Sequence, residues 1–247
     1  MKLIALAMAV VVIGAPATAA EIRVLSGGAV QESVIELAQA YEKKTGNKVV
    51  AAFAPMGKLR AKLRAGEKAD ILFMTGAAMD AAAKEGAQLA GERVPLGRVM
   101  IGLAVKEGAP MPDIKTVDGF KKTLLGAKSI VIVDPSTGTS GAHLAKTFDK
   151  LGIADQIKPK LKTLAGGRVA ELVARDEAEI AVHQITEILP VKGVKLVGPL
   201  PEAVNLVSTY LGSATASASP EAKAFLAFAA SPEGRKLIAE GGVDPGS

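Results

Sequence analysis

The sequence repeatedly joins a short β-branched apolar run to a helical pattern through a turn of glycine and hydroxyl residues. The plainest case begins with residues 129–133, which predict a buried strand. The turn at 134–141 (DPSTGTSG) follows, and residues 142–150 have helical spacing. Alternating strands and helices with short connections are typical of a mainly parallel sheet covered by helices on both faces. The sequence therefore predicts an α/β fold.

Four more turns have the same character, and together they predict a common ligand site. They lie at residues 26–28, 55–58, 75–76 and 165–168. Backbone N–H groups at the start of a helix attract anions, and open α/β sheets bind ligands beyond the carboxyl ends of their strands. We expect these turns to border one crevice for a small anion. In the alternative interpretation, their serines and threonines only cap the helices that follow.

Two further strands are expected to connect two halves of the molecule. Residues 99–105 predict a long strand after a crossing at 94–97, and residues 205–211 predict a strand that returns the chain to the first half. Our domain prediction has three parts: a signal peptide at 1–20, a first lobe at 21–97 plus 209–247, and a second lobe at 98–208.

The N-terminus has the pattern of a secretory signal peptide. A basic start is followed by an apolar stretch at 3–13, too short to span a membrane, and by small residues at 15–20. Cleavage is expected after Ala19 or Ala20, which predicts an exported periplasmic protein. Because the chain has no Cys, disulfides, thiol catalysis and a lipidated N-terminal cysteine are all excluded.

The composition of the chain limits the classes of partner that we expect it to bind. The net charge is +5, but the basic residues are scattered and aromatic content is only 3%, so we expect no nucleic-acid partner. The positive balance favours a small anionic ligand. Two histidines without a carboxylate cluster at metal spacing predict no metal site. No cofactor fingerprint is present, and we expect no cofactor.

Six segments in this order resemble one family. They are residues 22–29 (IRVLSGGA), 53–57 (FAPMG), 65–71 (AGEKADI), 134–141, 150–152 (KLG) and 193–197 (GVKLV). The chain resembles the type II periplasmic solute-binding proteins of ABC importers, in the branch of molybdate- and tungstate-binding proteins. The resemblance implies two lobes, each a mainly parallel sheet flanked by helices, with two crossing strands at a hinge and one ligand between the lobes. It also implies a monomer that serves an ABC permease in the inner membrane.

The positions that hold the oxyanion in this family are altered here. Family members use neutral donors, whereas this chain has Ala29, Met56, Ser140, Gly166 and His183 at the matching positions. Two side-chain donors are therefore missing, and each lost charge-assisted hydrogen bond costs about 1.5–3 kcal/mol. We expect a small organic carboxylate as ligand, with a molybdate-like oxyanion as the second choice.

The predicted ligand-binding residues come from four of the five turns (all but 75–76) and from the strand end at His183. They are Ser26, Gly27, Gly28, Met56, Gly57, Lys58, Thr139, Ser140, Gly166, Gly167, Arg168 and His183. Arg98 and Arg168 are candidate carboxylate clamps. The alternatives are that Lys58 and Arg168 are solvated and that Arg98 forms a salt bridge at the hinge. His183 could instead be a structural histidine, and His143 is expected to be a packing residue.

Two functions from different classes follow. The first is a binding protein that captures a small anion and delivers it to a permease. The second is a cofactor-independent isomerase of a small tricarboxylic acid of the aconitate type, with His183, Glu187 or Lys58 as base. Of the two, the sequence favours binding without catalysis. A ligand-sensing partner of a membrane receptor is a third possibility on the same fold.

Overall fold

The computed structural model describes residues 19–246. Almost all of the predicted signal peptide, together with its apolar stretch, lies outside these residues. Within the described part of the chain, none of the helices combines the length and apolar character needed to cross a bilayer.

Nine strands and ten α-helices are present between residues 19 and 246. The strands are β1 (Glu21–Gly27), β2 (Lys48–Ala54), β3 (Ile71–Thr75), β4 (Leu89–Lys106), β5 (Ile130–Val133), β6 (Leu161–Leu164), β7 (Ile180–Gln184), β8 (Val194–Pro199) and β9 (Val207–Thr215). The helices are α1 (Gln31–Thr45), α2 (Met56–Arg64), α3 (Gly76–Lys84), α4 (Val117–Gly126), α5 (Thr139–Lys150), α6 (Ala154–Ile157), α7 (Glu171–Ala174), α8 (Ile185–Ile188), α9 (Pro220–Ala230) and α10 (Pro232–Glu240).

The strands are ordered β2-β1-β3-β9-β4-β7-β5-β6, and β8 pairs with β4. Strands β2, β1 and β3 are parallel, as are β6, β5 and β7. The antiparallel pairs all involve β4 or β9. Each half is thus a parallel sheet core, and the long strands β4 and β9 connect the two halves. This architecture confirms the predicted two-lobed α/β fold with two crossing strands.

Each half has its own hydrophobic core. The first is built around the fully buried rings of Phe73 and Phe225. Phe225 packs edge-on against Phe73, with 6.3 Å between centroids, and against Tyr41, with 5.2 Å. The second half is filled from β4, β5 and β7, with Phe120 and Phe148 on its helices. Separate cores are what two lobes joined only by crossing strands require.

Several helices begin as the sequence predicts. The hydroxyls of Thr116, Ser219 and Ser231 accept hydrogen bonds from backbone N–H groups in the first turns of α4, α9 and α10. Proline follows both serines, at the first position of the helix, where its missing N–H costs nothing.

Three elements differ from the prediction. Strand β4 begins at Leu89 instead of residue 99, because its first part pairs with β9 across Pro95 and a bulge. Strand β6 was missed because it is an edge strand whose Lys162 and Thr163 are exposed, so it lacks an apolar run. The sequence pattern at 168–175 predicts a helix after the turn at 165–168, but the segment is α-helical only at Glu171–Ala174, because an i→i+3 turn precedes it.

The predicted lobe boundaries both fall inside the crossing strands. Arg98 of β4 pairs with Thr209 of β9, so the two proposed crossing points lie side by side. The division at 97/98 and 208/209 stays a prediction.

We expect Phe225→Ala to lower the free energy of unfolding by about 3–5 kcal/mol, because it leaves a cavity between Phe73 and Tyr41. Val50→Ala is the control: Val50 is 41% exposed, and its loss should change stability by less than about 0.5 kcal/mol. Urea unfolding of both variants measures this. A cost for Phe225→Ala as small as that for Val50→Ala would contradict the packing described here.

Candidate functional site

A cavity of about 300 Å³ lies between the two halves of the molecule. Its wall combines residues from the starts of α1, α2 and α5, the loop at 165–168, the end of β7 with the start of α8, and β9. The lining residues are Gly28, Ala29, Gln31, Glu32, Phe53, Ala54, Pro55, Met56, Lys58, Val133, Gly138, Thr139, Ser140, Ala165, Gly166, Gly167, Arg168, His183, Gln184, Thr186, Glu187 and Tyr210.

The structure brings most of the predicted site residues together at this cavity. Those that line it are Gly28, Met56, Lys58, Thr139, Ser140, Gly166, Gly167, Arg168 and His183. Ser26, Gly27 and Gly57 do not line it. Four of the five turns therefore converge as expected, although two residues of the first turn and one of the second have other contacts. The turn at 75–76 contributes no lining residue.

Ser26 and Gly27 lie behind the cavity wall. The Ser26 side chain is fully buried, and its hydroxyl donates to the Gly27 carbonyl 3.1 Å away. A side chain at Gly27 would overlap Met56 Cε, 2.2 Å from the position of a Cβ atom. Ser26 therefore does not supply a ligand hydroxyl here, and Gly27 lets Met56 pack closely.

Gly57 connects the two halves instead of facing the cavity. Its amide donates to the Thr137 carbonyl at 3.0 Å, so this N–H is already used. On the same rim, a Cβ atom at Gly166 would lie only 2.6 Å from the Pro55 ring. The halves thus touch through backbone at points where only glycine allows the approach.

The start of α5 supplies free donors. Gly138, its N-cap, makes no side-chain cap, and the amides of Thr139 and Ser140 have no acceptor within residues 19–246. The helix has 12 residues, so its dipole adds positive potential at this end. Two backbone N–H groups of residues that line the cavity therefore have no acceptor within residues 19–246, as an anion site requires.

The predicted cations have different positions. Lys58 lines the cavity and makes no ion pair with any other residue from 19 to 246. Arg168 also lines it, but pairs with Glu32 of α1 in the other half. Arg98 lies elsewhere and binds Asp244 at 2.9 Å. The carboxylate-clamp prediction for Arg98 was therefore wrong and the hinge alternative correct, because β4 presents its side chain to the C-terminal segment.

The hinge contact around Arg98 extends through the backbone. Its N–H donates to the Asp244 carbonyl, and the Asp244 N–H donates back. The Gly246 amide, and then the Arg98 guanidinium, hold the pKa of the Asp244 carboxyl below its usual range. His143 is likewise structural, because its Nε2 lies 2.9 Å from the Val204 carbonyl.

His183 is the centre of a buried polar row. Its side chain is almost completely buried, and Nδ1 lies 3.1 Å from Ser140 Oγ. Nε2 lies 3.1 Å from Glu187 Oε2 but without the alignment of a hydrogen bond, so this nitrogen has no hydrogen-bond partner among residues 19–246. The Glu187 carboxylate in turn lies against Gly28, where a Cβ atom would be 2.6 Å from Oε1. The row therefore places an imidazole and a carboxylate side by side in the cavity wall.

Sequence reasoning missed five polar lining residues. They are Gln31, Glu32, Gln184, Thr186 and Tyr210. Gln184 and Thr186 directly follow His183, so the strand end itself was an available signal. No local pattern marks Tyr210, which reaches the cavity from β9.

Tyr210 is a permanent donor in this wall. Its side chain is buried, and burial, with a smaller contribution from the charge of Glu187, raises the pKa of Tyr210 far above its usual value. Its hydroxyl makes no hydrogen bond within the described residues. It therefore keeps its proton at any physiological pH.

Within residues 19–246, no group of three or more histidine and carboxylate side chains is arranged to hold a metal ion.

Comparison with known proteins gives a consistent family. Residues 22–244 match the family described as bacterial extracellular solute-binding protein. Aconitate isomerase from Pseudomonas sp. is 35% identical over 230 residues, which are 90% of this chain and 87% of that protein. The molybdate-binding protein ModA of Escherichia coli is 28% identical over 187 residues, covering 74% of this chain and 72% of its own.

A solved structure shares the fold. The periplasmic molybdate-binding protein of Azotobacter vinelandii superposes with a TM-score of 0.73 over 90% of this chain and 98% of its own, at 18% identity.

We expect the phenol of Tyr210 to stay protonated up to about pH 11, well above the usual pKa of about 10. The near-ultraviolet absorbance difference between wild type and Tyr210→Phe measures this. The unfolded phenol ionises first, so the stability that neutral Tyr210 contributes is complete below about pH 10 and is lost as pH rises further. A tyrosinate signal from Tyr210 in the folded protein near pH 10 would contradict its burial.

Proposed function

The chain belongs to the bacterial extracellular solute-binding protein family, and we propose that it captures a small polycarboxylate anion between its two lobes. The family is the periplasmic, ligand-binding component of ABC importers, which passes its ligand to a membrane permease. The cavity between the halves is the place where such a ligand would be held.

The observation that carries the proposal is the convergence of unused donors from both halves. The Thr139 and Ser140 amides come from the second half, and Lys58 comes from the first. A carboxylate can accept several such bonds, and bonds to a charged group are about twice as strong as neutral ones. Binding an anion would therefore join the two halves through the ligand.

The rest of the wall favours a carbon skeleton over a bare oxyanion. Ala29 and Met56 are buried apolar residues at positions where molybdate-binding relatives would supply hydroxyl donors. Phe53 and Val133 extend this apolar surface. A tetrahedral oxyanion needs donors around every oxygen, whereas an organic acid can place its chain against these side chains. Molybdate remains the second ligand class to test, because two relatives with that activity match the chain.

We expect Lys58→Met to weaken polycarboxylate binding about tenfold to a hundredfold, the equivalent of one charge-assisted hydrogen bond. Calorimetry on the mature protein with citrate, tricarballylate, succinate, molybdate and sulfate measures it. Lys84→Met is the matched control, since Lys84 is an exposed helix residue away from the cavity. Binding of the oxyanions alone, or no binding tighter than about millimolar to any member of the panel, would refute the proposal.

A second candidate function is favoured by the His183–Glu187 arrangement. His183, whose Nε2 has no hydrogen-bond partner within residues 19–246, and Glu187 line the same cavity, and the Pseudomonas relative that is 35% identical is an aconitate isomerase. Such a reaction needs a base and carboxylate binding, but no cofactor.

The chemistry would be an allylic proton transfer. The base takes a proton from the methylene carbon beside the double bond, the electron pair spreads over the allyl unit and its carboxylate, and a proton returns at the far carbon. One pair of side chains can do both steps when they share a proton. Ser140 would orient His183 through Nδ1, and Tyr210 would donate to a substrate carboxylate.

We expect trans-aconitate to be converted to the cis isomer by the mature protein, with incorporation of solvent deuterium, if this second function is correct. Proton NMR follows both. Glu187→Gln should lower the rate about a hundredfold or more, because it removes a proton acceptor, whereas Glu171→Gln on the exposed surface should not. Absence of conversion at high protein concentration would remove this candidate and leave ligand capture intact.

A further inference from the structure

Gln184 and Thr186 are buried polar residues at the cavity, and a side-chain oxygen of each has no hydrogen-bond partner within residues 19–246. Gln184 and Thr186 are 3% and 5% exposed. Gln184 Oε1 and Thr186 Oγ1 are inaccessible and make no hydrogen bond within residues 19–246. Both residues line the cavity. Buried polar atoms are nearly always paired, so two orphans in one wall call for a specific reason.

These atoms differ in kind from the donors described above. Gln184 Oε1 is an acceptor, and a threonine hydroxyl can accept or donate. Even if the Gln184 amide were turned over, neither of its terminal atoms has a hydrogen-bond partner in the described part of the chain. Beside them lies the Glu187 carboxylate, another acceptor. A ligand carrying only carboxylates has no hydrogen to offer this group.

The position of the orphans is rigid. Gln184 ends β7, where it pairs with Ile101 of the crossing strand β4, and Thr186 lies in the next turn. Because both residues line the cavity, a group bound there is the candidate partner for these two oxygens.

We propose that Gln184 and Thr186 form a hydroxyl-recognition subsite, so that the ligand is a hydroxylated polycarboxylate. This subsite proposal rests on the proposed capture of a polycarboxylate and specifies the class of that ligand. The ligand hydroxyl donates a hydrogen bond to Gln184 Oε1 and accepts a second one from the Thr186 hydroxyl. An ammonium group would also donate, and the neighbouring Glu187 carboxylate could pair with its charge, so aspartate is included among the test ligands below.

Matched acids test the subsite on the mature protein. Citrate and tricarballylate differ by one hydroxyl, as do malate and succinate, and aspartate replaces that hydroxyl by an ammonium group. By calorimetry, we expect the hydroxylated member of at least one pair to bind about tenfold or more tightly than its deoxy partner. Thr186→Val and Gln184→Met should reduce that preference to less than about twofold, with the deoxy acid bound as before.

Gln156→Met, an exposed helix substitution, is the control that should keep the full preference. Thermal unfolding of each variant identifies any that fails to fold, and the wild-type comparison of acid pairs stands without the variants. Equal affinities within both pairs would overturn the inference while leaving polycarboxylate capture in place. Tighter binding of aspartate than malate, or a preference that persists in both variants, would also overturn it. Failure of every acid to bind would refute the proposed function as well.

Discussion

The antiparallel pairing of β4 and β9 is the interaction on which the rest of the molecule depends. These strands are bonded to each other and also to a parallel strand of each half: β9 to β3, and β4 to β7. Because both halves are attached to the same two strands, their relative position sets the width of the cavity. At the crossing, Gly97 has φ 142°, and a Cβ atom there would lie 2.4 Å from the Asp244 carbonyl. Only glycine permits the C-terminal segment to pack against the hinge through the Arg98–Asp244 contacts.

The cavity is assembled from both halves, and its chemistry is mixed. Free amides at the start of α5 and the Lys58 ammonium provide donors, whereas Glu187, Gln184 and Thr186 provide acceptors. Arg168 and Glu32 neutralise each other across the rim. Such a wall distinguishes ligands by the arrangement of donors and acceptors more than by total charge, because a misplaced polar group leaves buried atoms unpaired.

Much of the site could be anticipated because parallel strands bring their carboxyl ends to one edge. That rule predicts the turn at 134–141 at the crevice, and the family resemblance adds Ser140 and His183; Thr139, Ser140 and His183 all line the cavity. The rule failed for Gly57 and Ser26, because other contacts use their donors. The Gly57 amide donates to the Thr137 carbonyl of the other half, and the Ser26 hydroxyl donates to the carbonyl of the next residue, Gly27. The prediction that Arg98 clamps a carboxylate was wrong for the same kind of reason, since its partner Asp244 is distant in sequence.

The sequence by itself determined the α/β class, the two halves, the helix starts and the family, because these depend on local periodicity, turn chemistry and short motifs. Strand β6 was not predicted from the sequence, because its central residues face solvent and it has no periodic apolar pattern. Only the tertiary structure decided that Tyr210, Glu32 and Gln184 meet at one cavity. It also decided that buried polar atoms there, among them one each of His183, Gln184 and Thr186, lack partners among the described residues. Those facts depend on distances between residues far apart in the chain, which no local pattern encodes.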